Sequence, residues 1–257
     1  MRKDTKDYKK WKKNNAGTRW RMSGLPQVHP AGKPAHSPPD ARHQSITVNH
    51  RLTVFIEQPP EFVRKLYPSA VWRMDPDERA VYLTFDDGPI PEVTPWVLDL
   101  LDKYDIKATF FMVGDNIRKH PDEFQMVVER GHRIGNHTFN HLRGFEYNFK
   151  DYLANAEKAN EVMKTDLFRP PHGHMGWTQY MILKRRYKII MWDLVTRDYS
   201  KKLRGPQVLA NVMKYARNGS IITFHDSLKS WNNGNLQYAL PRAIEFLKEE
   251  GYEFRLL

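Results

Sequence analysis

Two adjacent carboxylates, three histidines and an arginine recur at positions from which they could carry out a hydrolysis together. Asp86 and Asp87 lie in LTFDDGP (83–89), and His137 and His141 frame HTFNH (137–141). Arg169 opens RPPHG (169–173), Asp198 lies in WDLVTRDY (192–199) and His225 ends TFH (223–225). Two imidazoles and one carboxylate are a common donor set for a catalytic Zn²⁺, which keeps one position open for water. His137, His141 and one aspartate of the pair would supply that set. Such an ion lowers the pKa of its water to about 7 and polarises a carbonyl. The other aspartate is then free to accept a proton, and His225, titrating near neutrality, suits protonation of a leaving group. The adjacency of the two acids acquires a reason, because a cation offsets their repulsion. Taken singly, each residue has a plainer reading: Asp-Asp-Gly as a turn, a lone histidine as a satisfied polar group, Arg169 as a surface ion pair. Their convergence is what needs explaining.

Convergence requires elements that end together. Apolar runs at 80–85, 108–113, 132–137, 167–170, 187–192 and 220–224 read as strands, and YEFRLL closes the chain. Helical spacing separates them at 94–104, 121–131, 149–165, 177–186, 206–217 and 236–250. Thr94 is the expected N-cap with Pro95 at the first helical position, and Gly131 the expected stop of the second helix. Seven β/α steps with continuously apolar strands imply a parallel sheet covered by helices. No Gly-rich phosphate fingerprint follows the first strand, which removes the main support for a nucleotide-binding open sheet. The expected fold is therefore α/β, a distorted, incomplete (β/α)7 barrel, whose active site belongs at the C-terminal ends of the strands.

The remaining bounds come from composition. The chain has 257 residues, 40% hydrophobic and 12% aromatic, with no cysteine, so thiolate ligands and disulfides are excluded. The net charge of +11 is concentrated: residues 1–50 hold eleven Lys/Arg against three acids, leaving +3 for the other 207 residues. With five prolines and few aliphatics, that stretch reads as a disordered basic tail. Residues 51–79, with a strand-like RLTVFIE and a helical piece near 61–66, read as a lead-in segment packed on the barrel, and 80–257 as the domain that carries the candidate site. A nearly neutral domain gives no expectation of a nucleic-acid partner. No apolar run has transmembrane length, and no signal peptide is visible, so the cytoplasm is the expected compartment.

On these motifs the chain resembles the polysaccharide deacetylases, the NodB-homology group of carbohydrate esterases (family 4), over roughly residues 78–257. The resemblance implies Asp86 as general base, Asp87 with His137 and His141 as metal ligands, and Arg169 as the tether of the base. It also implies that the backbone N–H at His172 stabilises the oxyanion and that Asp198 orients His225, the general acid. The implied activity is metal-dependent removal of acetyl groups from N-acetylated sugars of a poly- or oligosaccharide, releasing acetate. The implied cofactor is one divalent ion, Zn²⁺ first, with Co²⁺ or Ni²⁺ as alternatives. An O-acetyl carbohydrate esterase and a catalytically weak carbohydrate-binding protein are the competing functions. Three positions depart from the family pattern: His172 replaces a tyrosine, Val195 the first acid of the fourth motif, and Tyr199 a tryptophan. The rival reading makes His172, with His174, an extra ligand or proton carrier, although neither has the adjacent acid a working histidine usually needs.

Overall fold

A computed structural model describes residues 57–257. The expected basic tail, and RLTVFI of the strand-like run, lie outside the described residues. The central strand is β1 (Ala80–Asp86), buried along its whole length. It is flanked by β2 (Thr109–Met112) and then β3 (Arg133–Asn136), β4 (Leu167–Phe168) and β5 (Lys188–Ile189) on one side, and by β7 (Ser220–His225) and β6 (Leu194–Val195) on the other. A short β8 (Glu253–Phe254) pairs with the start of β1. All the ladders are parallel, as strands buried by helices on one side and a shared interior on the other require.

The sheet must curl. Its edges β5 and β6 are joined by residues 190–193 alone, a link that reaches at most about 17 Å. Seven flat strands would hold those edges about 29 Å apart. The gap that remains is bridged by the lead-in segment: Val71 pairs with Ile190 and Arg73 with Ser220. The short helix α1 (Glu61–Arg64) contributes Arg64, whose Nη2 lies 2.5 Å from Oδ1 of buried Asp193. Arg217 and Ser220 Oγ also donate to that carboxylate. The barrel is thus incomplete in its strands and closed by a clasp of buried charge.

Helices α2 (Thr94–Lys103), α3 (Gly114–Lys119), α4 (Pro121–Glu129), α5 (Phe149–Met163), α6 (Trp177–Leu183), α7 (Gly205–Tyr215), α8 (Leu228–Asn232) and α9 (Asn235–Glu249) complete the described fold. In α5 the buried residues Tyr152, Ala156, Ala159 and Met163 fall on one face, and the Asn148 side chain caps the first turn by accepting from Asp151 N–H. Among the described residues no helix is long and apolar enough to cross a membrane.

Two expectations need correction, and two helices were not expected. The run 187–192 is not one strand leading to a helix; it shrinks to β5, and the chain crosses the seam to form β6 before α7. Thr94 is the first residue of α2, not its cap: its Oγ1 accepts from Ile90 N–H and donates to buried Asp226, so tertiary partners claim it. Helices α3 and α8, which follow β2 and β7 closely, carry too few turns to show a sequence period. Gly131 does end α4 at φ +73°, a left-handed position that favours glycine.

Candidate active site

The pleat decides which side chains meet. Alternate residues of a strand share a face, and Tyr82, Phe111, Leu167, Ile190 and Ile221 pack together in the interior. Counting on by two from these places Thr84 and Asp86, Thr223 and His225, and Arg169 on that same inner face. Asp86 and His225 stand opposite each other in register at the ends of β1 and β7. Space for this column is made at Gly135, where a Cβ would come within 2.3 Å of the Phe111 ring.

Beyond the strand ends the chain turns sharply. Asp87, Thr138 and His141 all take positive φ (84°, 64° and 55°), conformations that aim successive side chains inward at a cost in strain. The result is a cluster of one oxygen and two nitrogens, from Asp87, His137 and His141, all within 4.8 Å of one another. His141 Nε2 lies 3.0 Å and His137 Nε2 3.8 Å from Asp87 Oδ1. His137 Nδ1 lies 2.8 Å from the carbonyl of Arg169, to which it donates, which leaves the Nε2 lone pair facing the cluster. Burial pushes the His137 imidazole down to about 4, so it is neutral and able to coordinate. Burial works against the charge of Asp87, yet the hydrogen bond from His141 and the fields of His225, His141 and His137 hold its carboxyl well below the usual carboxylate range. Two imidazole nitrogens and an ionised carboxylate, all within 4.8 Å of one another, fit a divalent ion with a free position.

Asp86 is adjacent in sequence but differently held. Arg169, fully buried, donates from Nη1 to Asp86 Oδ1 at 2.7 Å and to Thr84 Oγ1 at 2.8 Å. Its Nη2 donates to Met191 O, and the guanidinium lies 4.0 Å from the centre of the Phe111 ring. The other carboxylate oxygen, Oδ2, faces the ligand cluster, 4.0 Å from His137 Nε2.

Across the register, His225 is gripped twice by one carboxylate. Its Nδ1 donates to Asp198 Oδ1 and its backbone N–H to Asp198 Oδ2, both at 2.8 Å. Burial alone would lower its pKa; Asp198, helped by the more distant Asp87 and Asp86, overcomes that and pushes it up to about 9. Asp198 is itself held from behind, since its carbonyl accepts from Asn233 and Asn235. Tyr199 sets its ring 4.7 Å from that of His225, edge to face.

His172 sits at φ +57° in a turn whose own hydrogen bonds come from Gly173 and His174 N–H, leaving its N–H outside that pattern. Its ring stands 4.8 Å from that of His141, edge to face, and burial pushes its pKa down to about 4. Proline, fixed near φ −65°, cannot occupy this position. Val195, where the family has an acid, donates its N–H to Glu57 O, and the Glu57 carboxylate pairs with Arg197 at 2.5 Å.

One residue escaped the sequence reading. Asp226, buried, accepts from Gly88 N–H at 3.1 Å and Thr94 Oγ1 at 2.7 Å, bracing the turn that follows Asp87. Burial, with the Asp87 charge adding to it, raises its pKa to about 8. The acid immediately after His225 in TFHD was the available signal.

The family profile of polysaccharide deacetylases matches residues 73–185. A peptidoglycan-N-acetylglucosamine deacetylase of Bacillus cereus is 34% identical over 192 residues, covering 71% of this chain and 88% of that protein. Three longer curated relatives are spanned for 65%, 38% and 37% of their length. The crystal structure of a peptidoglycan N-acetylglucosamine deacetylase in complex with 4-naphthalen-1-yl-N-oxidanyl-benzamide superposes with a TM-score of 0.68 at 28% identity, over 77% of this chain and 95% of that one. A CE4 family pseudoenzyme from Bacillus anthracis superposes at 0.64 with 26% identity, over 76% of this chain and 70% of that one. Fold, motif order and full-domain likeness agree: the chain belongs to the polysaccharide deacetylase family.

Proposed function

We propose that the protein is an active, metal-dependent deacetylase that hydrolyses the acetamido group of an N-acetylated amino sugar within a glycan, releasing acetate and a free amine. Since the family includes a pseudoenzyme, membership alone does not carry this reading. What carries it is the split environment of the adjacent acids: Asp87 joins two histidines, while Asp86 is tied to Arg169 with one oxygen left facing them. Two carboxylates in two environments can take two roles.

Bound to Asp87, His137 and His141, a divalent ion, Zn²⁺ first among candidates, would supply a Lewis acid and an acidified water. Asp86 accepts a proton at Oδ2, its orientation fixed by Arg169 at Oδ1. The His172 N–H donates to the acetyl oxygen as that atom gains charge. His225, held cationic by Asp198, gives its proton to the departing nitrogen. Amine expulsion needs that proton, and a histidine pushed up to about 9 still carries it at neutral pH. This favours amide over ester hydrolysis. The Bacillus cereus relative, a peptidoglycan-N-acetylglucosamine deacetylase, points to N-acetylglucosamine in a polymer as the substrate class.

Two measurements test the reading. Dialysis against a chelator should abolish acetate release from N-acetylglucosamine oligomers, and Zn²⁺ or Co²⁺ should restore it at about one ion per chain. Full turnover by protein shown to be metal-free would sink the ion's role. The alkaline limb of kcat should lie near pH 9, where His225 loses its proton. In Asp198→Asn the carboxylate's pull is gone and burial dominates, so the limb should move to lower pH as kcat drops. An unmoved limb would mean that His225 is not the acid.

A further inference from the structure

The loops that carry His141 and His172 also carry a set of aromatic side chains that the reaction does not use. Phe145 follows His141 by four residues, at the centre of a short 3₁₀ turn (Gly144–Glu146), and Trp177 opens α6 just after the His172 turn. Both are exposed, at 64% and 59%, and with Leu66 (58%), Lys65, Tyr67 and Met175 they line an open cleft of about 330 Å³. Exposed apolar groups gathered in one place, unlike single ones scattered over a surface, mark a binding site.

The cleft is continuous with the candidate active site through a run of rings. From His141, a ligand of the cluster, the ring of His172 is 4.8 Å away, that of His174 a further 5.9 Å, and that of Phe145 a further 5.1 Å. The run is rigidly backed. Gly144 N–H donates to His174 O, and Gln179 Nε2 donates to the carbonyls of Gly144 and Tyr147. A Cβ at Gly144 would come within 2.4 Å of His174 O, so the two loops are pressed together as closely as glycine permits. Tyr67 OH donates to Met175 O, which fixes the lead-in segment as the far wall.

The geometry points to a saccharide-binding platform: Phe145, His174 and Trp177 hold sugar units of the same glycan chain next to the unit being deacetylated. This rests on the deacetylase reading above. The fit is chemical. A pyranose ring presents a face of C–H groups, apolar and slightly positive, that matches the negative face of an aromatic ring. Its rim of hydroxyls stays in water, which an open cleft allows and an enclosed apolar pocket would not. Ring-to-ring continuity with His141 favours an extension of the substrate over an unrelated partner.

The test uses the full chain with its metal and N-acetylglucosamine oligomers of two to six units. Phe145→Ala and Trp177→Ala should each lower kcat/KM, with a loss on the hexamer at least fivefold greater than on the dimer and appearing mainly in KM. Calorimetric binding of the hexamer to an Asp86→Asn background should weaken by the same ratio, a readout independent of turnover. A loss equal at all lengths, or unchanged hexamer binding, would overturn the platform. Hexamer binding that tightens when residues 1–50 are removed would name the chain's own N-terminal segment as the occupant and overturn it as well. So would a dimer in sedimentation that either substitution abolishes, because the occupant would then be a second copy. If no oligomer releases acetate at all, the deacetylase reading fails, while the binding arm still decides whether the platform holds a glycan.

Discussion

Asp86→Asn is expected to lower kcat by a factor on the order of 10²–10⁴, the usual worth of a general base, while leaving metal content near that of the wild type. The substitution is isosteric, and its amide oxygen can still accept from Arg169 Nη1, which lies 2.7 Å from the carboxylate now. What disappears is the basicity of the oxygen facing the cluster. Asp87→Asn is the contrasting case: it replaces the one anionic ligand of the three by a neutral amide, and metal affinity itself should fall. Metal analysis alongside kinetics separates the two. Equal metal loss in both variants would show that the acids share one role and that the split read from their partners is wrong.

Arg169→Met should cost about 3–5 kcal/mol of stability, the penalty for removing one partner of a buried ion pair. Against a typical domain stability of about 5–15 kcal/mol this is a large fraction. The size follows from where the guanidinium sits. It is completely buried, spans Thr84, Asp86, Ile190 and Met191, and joins β1 to the crossing that closes the barrel. Methionine fills similar length over the Phe111 ring but leaves the Asp86 charge unanswered. The double variant Arg169→Met with Asp86→Asn should regain part of the stability and none of the activity. Denaturant unfolding of the three proteins measures both effects. A cost below about 1 kcal/mol for Arg169→Met would show that the site tolerates an unpaired Asp86.

The chemistry-bearing residues were legible because each sits at the end of an apolar run, and period-two alternation carries an end residue to a definite face. Asp86, Arg169 and His225 illustrate this: all three share the interior with Phe111 and Ile221 through parity along their strands. The closure of the barrel was not legible. β5 and β6 are two residues each, too short to show a period, and they exist because tertiary partners complete them: Val71 on one side, Ile222 and Thr223 on the other. Asp193 looked like part of a motif, yet its work is structural, holding Arg64 and Arg217 across the seam. Thr94 misled for the same reason. A cap residue and a tertiary donor are identical in sequence, and the buried Asp226 that claims it lies 132 residues away. His172, where the family pattern has a tyrosine, takes a position set by the backbone. Its backbone takes the left-handed conformation, which histidine visits more readily than most residues.

The order of strands in the sheet also bears on how the chain is made. β1 emerges from the ribosome early, but its neighbour β7 lies 139 residues further on. Until then only the β2 side of β1 can be covered. The opposite edge, an apolar strand with free N–H and C=O groups, stands open to any other extended chain. Synthesis at about 5–20 residues per second leaves it so for roughly 7–30 seconds. The three ligand residues, all within the first part of the barrel, can assemble in that interval, whereas His225 cannot. Yield on overexpression should therefore be limited by the lifetime of this open edge, and slower initiation or a chaperone that shields β1 should raise it without altering the finished protein.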